Sequence, residues 1–410
     1  MSTPATALPP TPARAPRWDV FCRVIDNHGD LGVCWRLAAD LARRGVVVRL
    51  WVDDASALAW MAPHGAPGVT VHAWPDEAAR IEPGEVVIEA FGCDPPRGFV
   101  EGMRAASCPP VWINLEYLSA EAYVERAHRL PSPQMAGPGA GMVKWFFYPG
   151  FSAATGGLLR EPGLLDQRDA RQAPAPKPDL AALSAPETPR AELTLSLFCY
   201  RPAALPSLLD ALMRWPDARR PGALRTTHLM VTAGLPTEQV RAYLGLRDEP
   251  TVGQPSVHGG LTVSCLPYLD HPAFDRLLWD CDANLVRGED SLVRAIWAAR
   301  PMLWQVYPQD DGAHEAKLDA FLRQQAAGVD AQRAAPAARL AQAWNGLSAP
   351  PSPADWHAWF EQVTATGARQ AAQSFSARLA TLPDLTTALM RFAQRTAGGA
   401  GLGEPGPASS

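Results

Sequence analysis

Asp26 and Asp30 stand four residues apart in a stretch that also holds Asn27, His28, Gly29 and Gly32. Two carboxylates on one short loop can converge on a small volume, where they would fix a cation or take up a proton. The plainer alternative is that Asp30 caps a helix beginning near Leu31. A third acid, Glu289, lies in Arg287-Gly288-Glu289-Asp290-Ser291, between an apolar run and a helical one, with no evident structural task. That spacing puts Asp290 or Ser291 at a helix N-terminus, whose free N–H groups attract a diphosphate; a simple cap is again the plainer reading. Phe198, Tyr200 and Tyr268 end two predicted strands and suit either a sandwiched nucleobase or a core. Asp280-Cys281-Asp282 has a spacing that can hold a divalent ion, but it closes a helix and opens a strand and reads as a turn. Asp310, Asp311 and His314 follow a strand end, and no His or Cys pair has zinc spacing, so no metal is expected.

The elements around these residues alternate strand and helix. Val20, Phe21, Val24 and Ile25 give a buried strand, residues 33–44 have helical periodicity stopped by Gly45, and residues 46–52 resume a strand, making a βαβ unit. In an open parallel sheet the loop leaving the first strand lines the ligand crevice, which is where Asp26 and Asp30 fall. The glycines do not match a dinucleotide fingerprint, and only Asp53 or Asp54 stands near a ribose position, so hydride transfer is disfavoured. Further strands are predicted at 68–73, 85–91 and 110–117, and Ser119 is expected to cap a helix over 120–127. The aromatic run 144–151 reads as packing at the end of the first domain. A second series of strands (193–199, 228–232, 261–266, 283–286, 301–306) alternates with helices (204–214, 236–244, 274–279, 292–299). The expected organisation is an N-terminal tail over 1–16, a first domain over 17–167 plus about 372–396, and a Pro- and Ala-rich linker over 168–189. A second domain over 190–371 and a tail over 397–410 complete it. The fold class is α/β, with two Rossmann-like domains facing across a cleft.

A chain of 410 residues with 47% hydrophobic content has material for two cores. Its formal charge of −5 argues against wholesale binding to a nucleic-acid backbone. The seven cysteines are odd in number and scattered, as in a cytoplasmic chain with reduced thiols. No apolar run approaches a membrane span, and none near the start resembles a secretory signal.

Several stretches together resemble the EarP family, the protein-arginine rhamnosyltransferases that modify elongation factor P. They are Asp26-Asn27, Gly29-Asp30 and Gly32-Val33-Cys34-Trp35-Arg36; Leu130-Pro131-Ser132-Pro133; Thr155-Gly156-Gly157-Leu158-Leu159-Arg160; and Arg287 to Ser291 followed by Trp304-Gln305 and Tyr307-Pro308-Gln309. The resemblance spans about residues 18 to 395. It implies a GT-B fold, dTDP-β-L-rhamnose as co-substrate with no other cofactor, inversion at the sugar, and one arginine of elongation factor P as acceptor, in support of polyproline translation. It implies Asp30 as general base, Asp26 and Glu289 as further essential carboxylates, and Phe198, Tyr200, Tyr268, Arg287, Gly288, Asp290 and Ser291 around the nucleotide sugar. Asn27, His28 and Gly29 would form the acceptor-side loop. Tyr268 stands where the family has Phe, and His271 where it has Gln, so an added hydroxyl and imidazole need partners. The alternatives are a GT-B transferase using another sugar nucleotide and a non-enzymatic protein that binds a translation factor.

Overall fold

The computed structural model describes residues 15–26, 28–172, 191–246, 254–309 and 312–398. In the first domain, β1 (Arg17–Cys22), β2 (Val47–Val52), β3 (Val69–Ala73), β4 (Val86–Ala90), β5 (Val111–Leu115), β6 (Pro131–Pro133) and β7 (Val143–Phe147) form one sheet in the order β3-β2-β1-β4-β5-β7-β6. Its pairs are parallel except β6 with β7. β1 and β4 are buried along nearly their whole length, as strands covered by helices on both faces must be, and the acids within them, Asp19 and Glu89, are paired with Arg49 and Lys144.

The second domain repeats the plan with β8 (Leu193–Leu197), β9 (Thr227–Val231), β10 (Ser256–His258), β11 (Leu261–Cys265), β12 (Ala283–Arg287) and β13 (Met302–Gln305), ordered β10-β11-β9-β8-β12-β13. Strand order reverses between β1 and β4 in one sheet and between β8 and β12 in the other. Ligand crevices form outside the carboxyl ends of strands at such reversals. The two crevices face each other, which is the GT-B arrangement of two Rossmann-like domains.

Local boundaries differ from the expectations for identifiable reasons. β1 stops at Cys22, and Val24 and Ile25 belong to the following loop. The Val24 N–H is held by Asp53 at 3.0 Å, and Ile25 is 65% exposed. The first helix is Gly29–Arg43, so it starts before the apolar periodicity does. Ser119 is not a helix cap: that helix is Ala122–Ala127, and the Ser119 hydroxyl accepts the Glu121 N–H at 3.1 Å in the preceding turn. The expected linker begins too early, because Leu164–Gln172 is a helix. Beyond the buried Leu164 at its start it docks through arginines, Arg168 donating to the Trp297 carbonyl at 2.9 Å and Arg171 pairing with Asp280 at 2.7 Å. Residues 173–190, the tails 1–14 and 399–410, Asn27, Asp310 and Asp311 lie outside the described residues.

Position 372 falls inside the Thr366–Ala380 helix, whose Phe375 and Leu379 pack between the domains. The return to the first domain is made by the Leu385–Ala397 helix, which inserts Leu385, Leu389 and Phe392 into the core holding Val20 and Ile88. Its start is pinned by Asp384, which accepts Thr387 N–H at 2.8 Å and pairs with Arg44 at 2.8 Å.

Leu118, Phe151, Leu158 and Leu164 of the first domain share one apolar cluster with Val286, Leu292, Ile296 and Trp297 of the second. Within this interface lies a buried charge network. Arg36 reaches Asp290 at 2.9 Å and Glu161 and Asp275 at 3.5 Å; Arg294 reaches Glu161 at 2.5 Å and Asp275 at 2.6 Å. Burial alone would raise Glu161, but Arg294 and Arg36 overcome it and hold its pKa at about 2. Removing one member of such a set leaves the others charged and unpaired in a dry interface. Arg294→Met should therefore lower stability by about 3–5 kcal/mol, read as a fall in the midpoint of chemical denaturation.

Candidate active site

The segment after β1, at the reversal, carries Asp26, and Asp30 follows in the first turn of the Gly29–Arg43 helix. Asp30 is 4% exposed, and its carboxylate does not cap the helix it begins. One oxygen, Oδ2, folds back to accept the Ile25 N–H at 2.9 Å and the Asp26 N–H at 3.0 Å, fixing the loop in front of it. Burial pushes the Asp30 pKa upward, the two backbone bonds oppose that, and the charges of Asp26 and Asp53 add to it.

Asp26 meets the second domain. Its Oδ2 accepts the Tyr200 hydroxyl proton in a very short hydrogen bond, while its Oδ1 is buried with no partner among the described residues. Burial raises its pKa as well, against the Tyr200 bond and the charge of Arg287. Two glycines make this crossing sterically feasible. A Cβ on Gly29 would stand 2.9 Å from Asp26 Oδ2, and one on Gly288 would stand 2.8 Å from the same oxygen and 3.0 Å from the Tyr200 hydroxyl. Gly288 also has φ +63°, a conformation other residues avoid.

Glu289 follows in the first turn of the Gly288–Ala298 helix. It has a structural task that sequence does not reveal: Oε2 accepts the Leu118 N–H of the first domain at 2.8 Å, and Oε1 accepts from Lys317 at 2.6 Å. Burial raises its pKa and Lys317 opposes the rise. Asp26, Asp30 and Glu289 border one cavity of about 190 Å³, with Phe91, Tyr117, Tyr307 and Lys317 in its walls. Phe91 and Tyr117 stack at 4.4 Å, and Phe91 holds φ +60° to do so, a strained backbone for a bulky residue.

A second cavity of about 340 Å³ lies alongside, and Asp26 and Gly29 border both. Its walls include Phe198, Tyr268, Phe274, Arg287, Asp290 and Ser291 from the second domain, and His28 and Trp60 from the first. Phe198 and Tyr200 also meet a cation. Their rings hold the Arg287 guanidinium between them, each centroid 4.5 Å from it, and Arg287 Nη1 is buried without a hydrogen-bond partner among the described residues. A cation fixed in this way can pair with an anion that enters the cavity.

Asp290 and Ser291 are not caps either. Arg287 is the N-cap, and the Ser291 hydroxyl accepts the Arg287 N–H at 3.1 Å and donates to the Arg287 carbonyl. The Asp290 carboxylate is committed to Arg36. His28 packs on Trp60, and burial and then Arg287 lower its pKa. The imidazole of His271 is buried and its Nε2 has no partner among the described residues. Asp280 pairs with Arg171 and Asp282 accepts the Thr194 N–H at 2.9 Å, so that acidic pair ties elements together. Among the described residues no group of three His, Cys, Asp or Glu could hold a metal ion, and none of the seven cysteines forms a disulfide.

Comparison with known proteins decides the lineage. Residues 18–394 match the family model described as Elongation-Factor P (EF-P) rhamnosyltransferase EarP. The chain belongs to the EarP family. Two relatives called protein-arginine rhamnosyltransferase, from Pseudomonas putida and Pseudomonas aeruginosa, are 44% and 41% identical to it; each match covers 92% of this chain and 98% of the relative. A solved structure that gives the structural basis for EarP-mediated arginine glycosylation of translation elongation factor EF-P superposes with a TM-score of 0.65 at 32% identity, over 93% of this chain and 99% of that one. The EarP-family chain described here is thus a protein-arginine rhamnosyltransferase, and the alternative of a non-enzymatic binding protein falls away. Among its described residues no helix is long and apolar enough to cross a membrane.

Lys317, Tyr117, Phe91 and Trp60 are site residues that sequence reasoning missed. Each is an isolated side chain whose neighbours come from distant segments, and only the stop of the 85–91 strand at Gly92 hinted at Phe91.

Tyr200→Phe removes the donor that helps keep Asp26 ionised. The Asp26 pKa then rises further, and the acid-side limb of the pH–rate profile should move to higher pH, measured with both substrates saturating. An unmoved limb would separate Asp26 ionisation from turnover.

Proposed function

We propose that this enzyme transfers L-rhamnose from dTDP-β-L-rhamnose to an arginine side chain of elongation factor P, with inversion at the anomeric carbon and without a metal. The reading rests chiefly on one observation: Asp26, Asp30 and Glu289, from opposing domains, border a single small cavity that opens beside the larger pocket containing Arg287. The smaller space suits a guanidinium and the larger a nucleoside diphosphate. Asp26, which borders both, stands where the two would meet. The names of the relatives and of the family support the same donor sugar and acceptor. The cytoplasm, where an elongation factor works, is the proposed compartment, with help to polyproline translation as the proposed consequence.

Arginine is a poor nucleophile, because its pKa exceeds about 12 and its lone pairs are delocalised over the guanidinium plane. Even a carboxylate with a raised pKa cannot deprotonate it beforehand. The proton must leave as the bond forms. Asp26 and Glu289 orient the planar cation through charge-assisted hydrogen bonds, and Asp30 takes the proton while the nitrogen attacks C1 of the sugar. The C1–oxygen bond to dTDP breaks on the opposite face, through an oxocarbenium-like state. The diphosphate carries away the bonding pair, and Arg287, already buried and held between two rings, meets the added charge without reorganising. The raised pKa of Asp30 suits a base, since a more basic carboxylate accepts a proton more readily.

Asp30→Asn keeps the side chain's size and removes the proton acceptor. Transfer should fall about 10²–10⁴-fold, read as loss of the added deoxyhexose mass on elongation factor P, while calorimetry still detects dTDP binding. Ordinary turnover by this variant would take the base role away from Asp30.

A further inference from the structure

Trp60 belongs to the one-turn helix Leu58–Met61, which follows β2 in the first domain, yet it borders the larger pocket of the second. Its ring meets Tyr268, which follows β11 of the second domain, with centroids 4.8 Å apart and planes inclined by 36°. Its other neighbour is His28 on the catalytic loop, edge-on at 5.2 Å. Tyr268 is still 54% exposed with Trp60 in place, so the second domain alone leaves this side of the pocket open to water. Rings whose centroids lie within about 7 Å are in direct aromatic contact. A base therefore has no room between these two rings, and one held in this pocket would lie on their inner side, where Phe198 and Phe274 also form the wall.

We infer that Trp60 is the first domain's contribution to nucleobase binding: together with Tyr268 it closes the outer wall of the donor pocket, so the complete donor site exists only when the two domains are together. This rests on the donor reading above and extends it, because a donor in place would press through Trp60 on His28. The loop that presents Asp26 and Asp30 is thereby sensitive to whether the base is bound. It also gives the Tyr268 ring a partner from the opposite domain.

The test is calorimetry with dTDP alone on the full chain, comparing wild type, Trp60→Ala, Tyr268→Ala and the double variant. Trp60→Ala should bind dTDP about tenfold more weakly, and the double variant should lose less than the product of the two single losses, since the rings act as a pair. Trp60→Ala binding as tightly as wild type, or more tightly, overturns the assignment, and so does a strictly multiplicative double variant. Trp60→Phe preserves a ring in case the alanine chain does not fold. In that variant the dTDP-induced change in tryptophan emission should shrink relative to wild type, and an unaltered amplitude overturns the assignment. A wild-type chain that does not bind dTDP overturns the donor reading and this inference with it; dTDP binding indifferent to Trp60 overturns this inference alone.

Discussion

Arg36 and Arg294, set among Asp275, Asp290 and Glu161, hold the two domains in one relation. Isolated charges in such an interface would be costly, so each arginine must stay paired with acids that the rest of the structure brings to it. Glu161 comes from the segment that ends the first domain, Asp275 and Arg294 from two helices of the second, and Arg36 from the helix that starts at the catalytic loop. A rotation of one domain would break several pairs together. The network is a weak source of net stability but a strong source of register, and register is what lets Asp26 arrive between Gly29 and Gly288 with its oxygen on Tyr200.

The cavity acids show how one charge type can be given different tasks by its surroundings. Asp30 has two backbone donors on one oxygen, Asp26 has a phenol on one and no partner on the other, and Glu289 has an ammonium and a backbone N–H. All three have pKa values raised by burial, so they hold their charge least firmly when the cavity is without a cation. A cation entering the cavity would reverse that imbalance.

Much of this was readable before any coordinates. The alternation of strands and helices, the position of Asp26 and Asp30 at the end of the first strand, and Glu289 at the matching turn of the second domain all follow from local pattern, because parallel sheets place their loops predictably. The roles of Phe198 and Tyr200 did not follow. Aromatics at strand ends suit a base or a cation equally, and the contact of both rings with Arg287 depends on packing that local pattern does not carry. Asp30 shows the same limit: a helix-start acid ordinarily caps, but here its carboxylate turns back on the loop before it. The part of the linker at 168–172 was misjudged because a helix held by arginines to carbonyls and one acid carries little apolar signature.

The Leu385–Ala397 helix lies on the core of the domain that the chain builds first. During synthesis, strands β1 to β7 therefore emerge long before the segment that covers their apolar face, with a whole second domain made in between. The early half must wait with an uncovered hydrophobic surface until the ribosome has also made the second lobe and the helix that follows it. Completion of the first lobe is a late event, and a chain cut short after the second lobe would still lack the piece that seals the first.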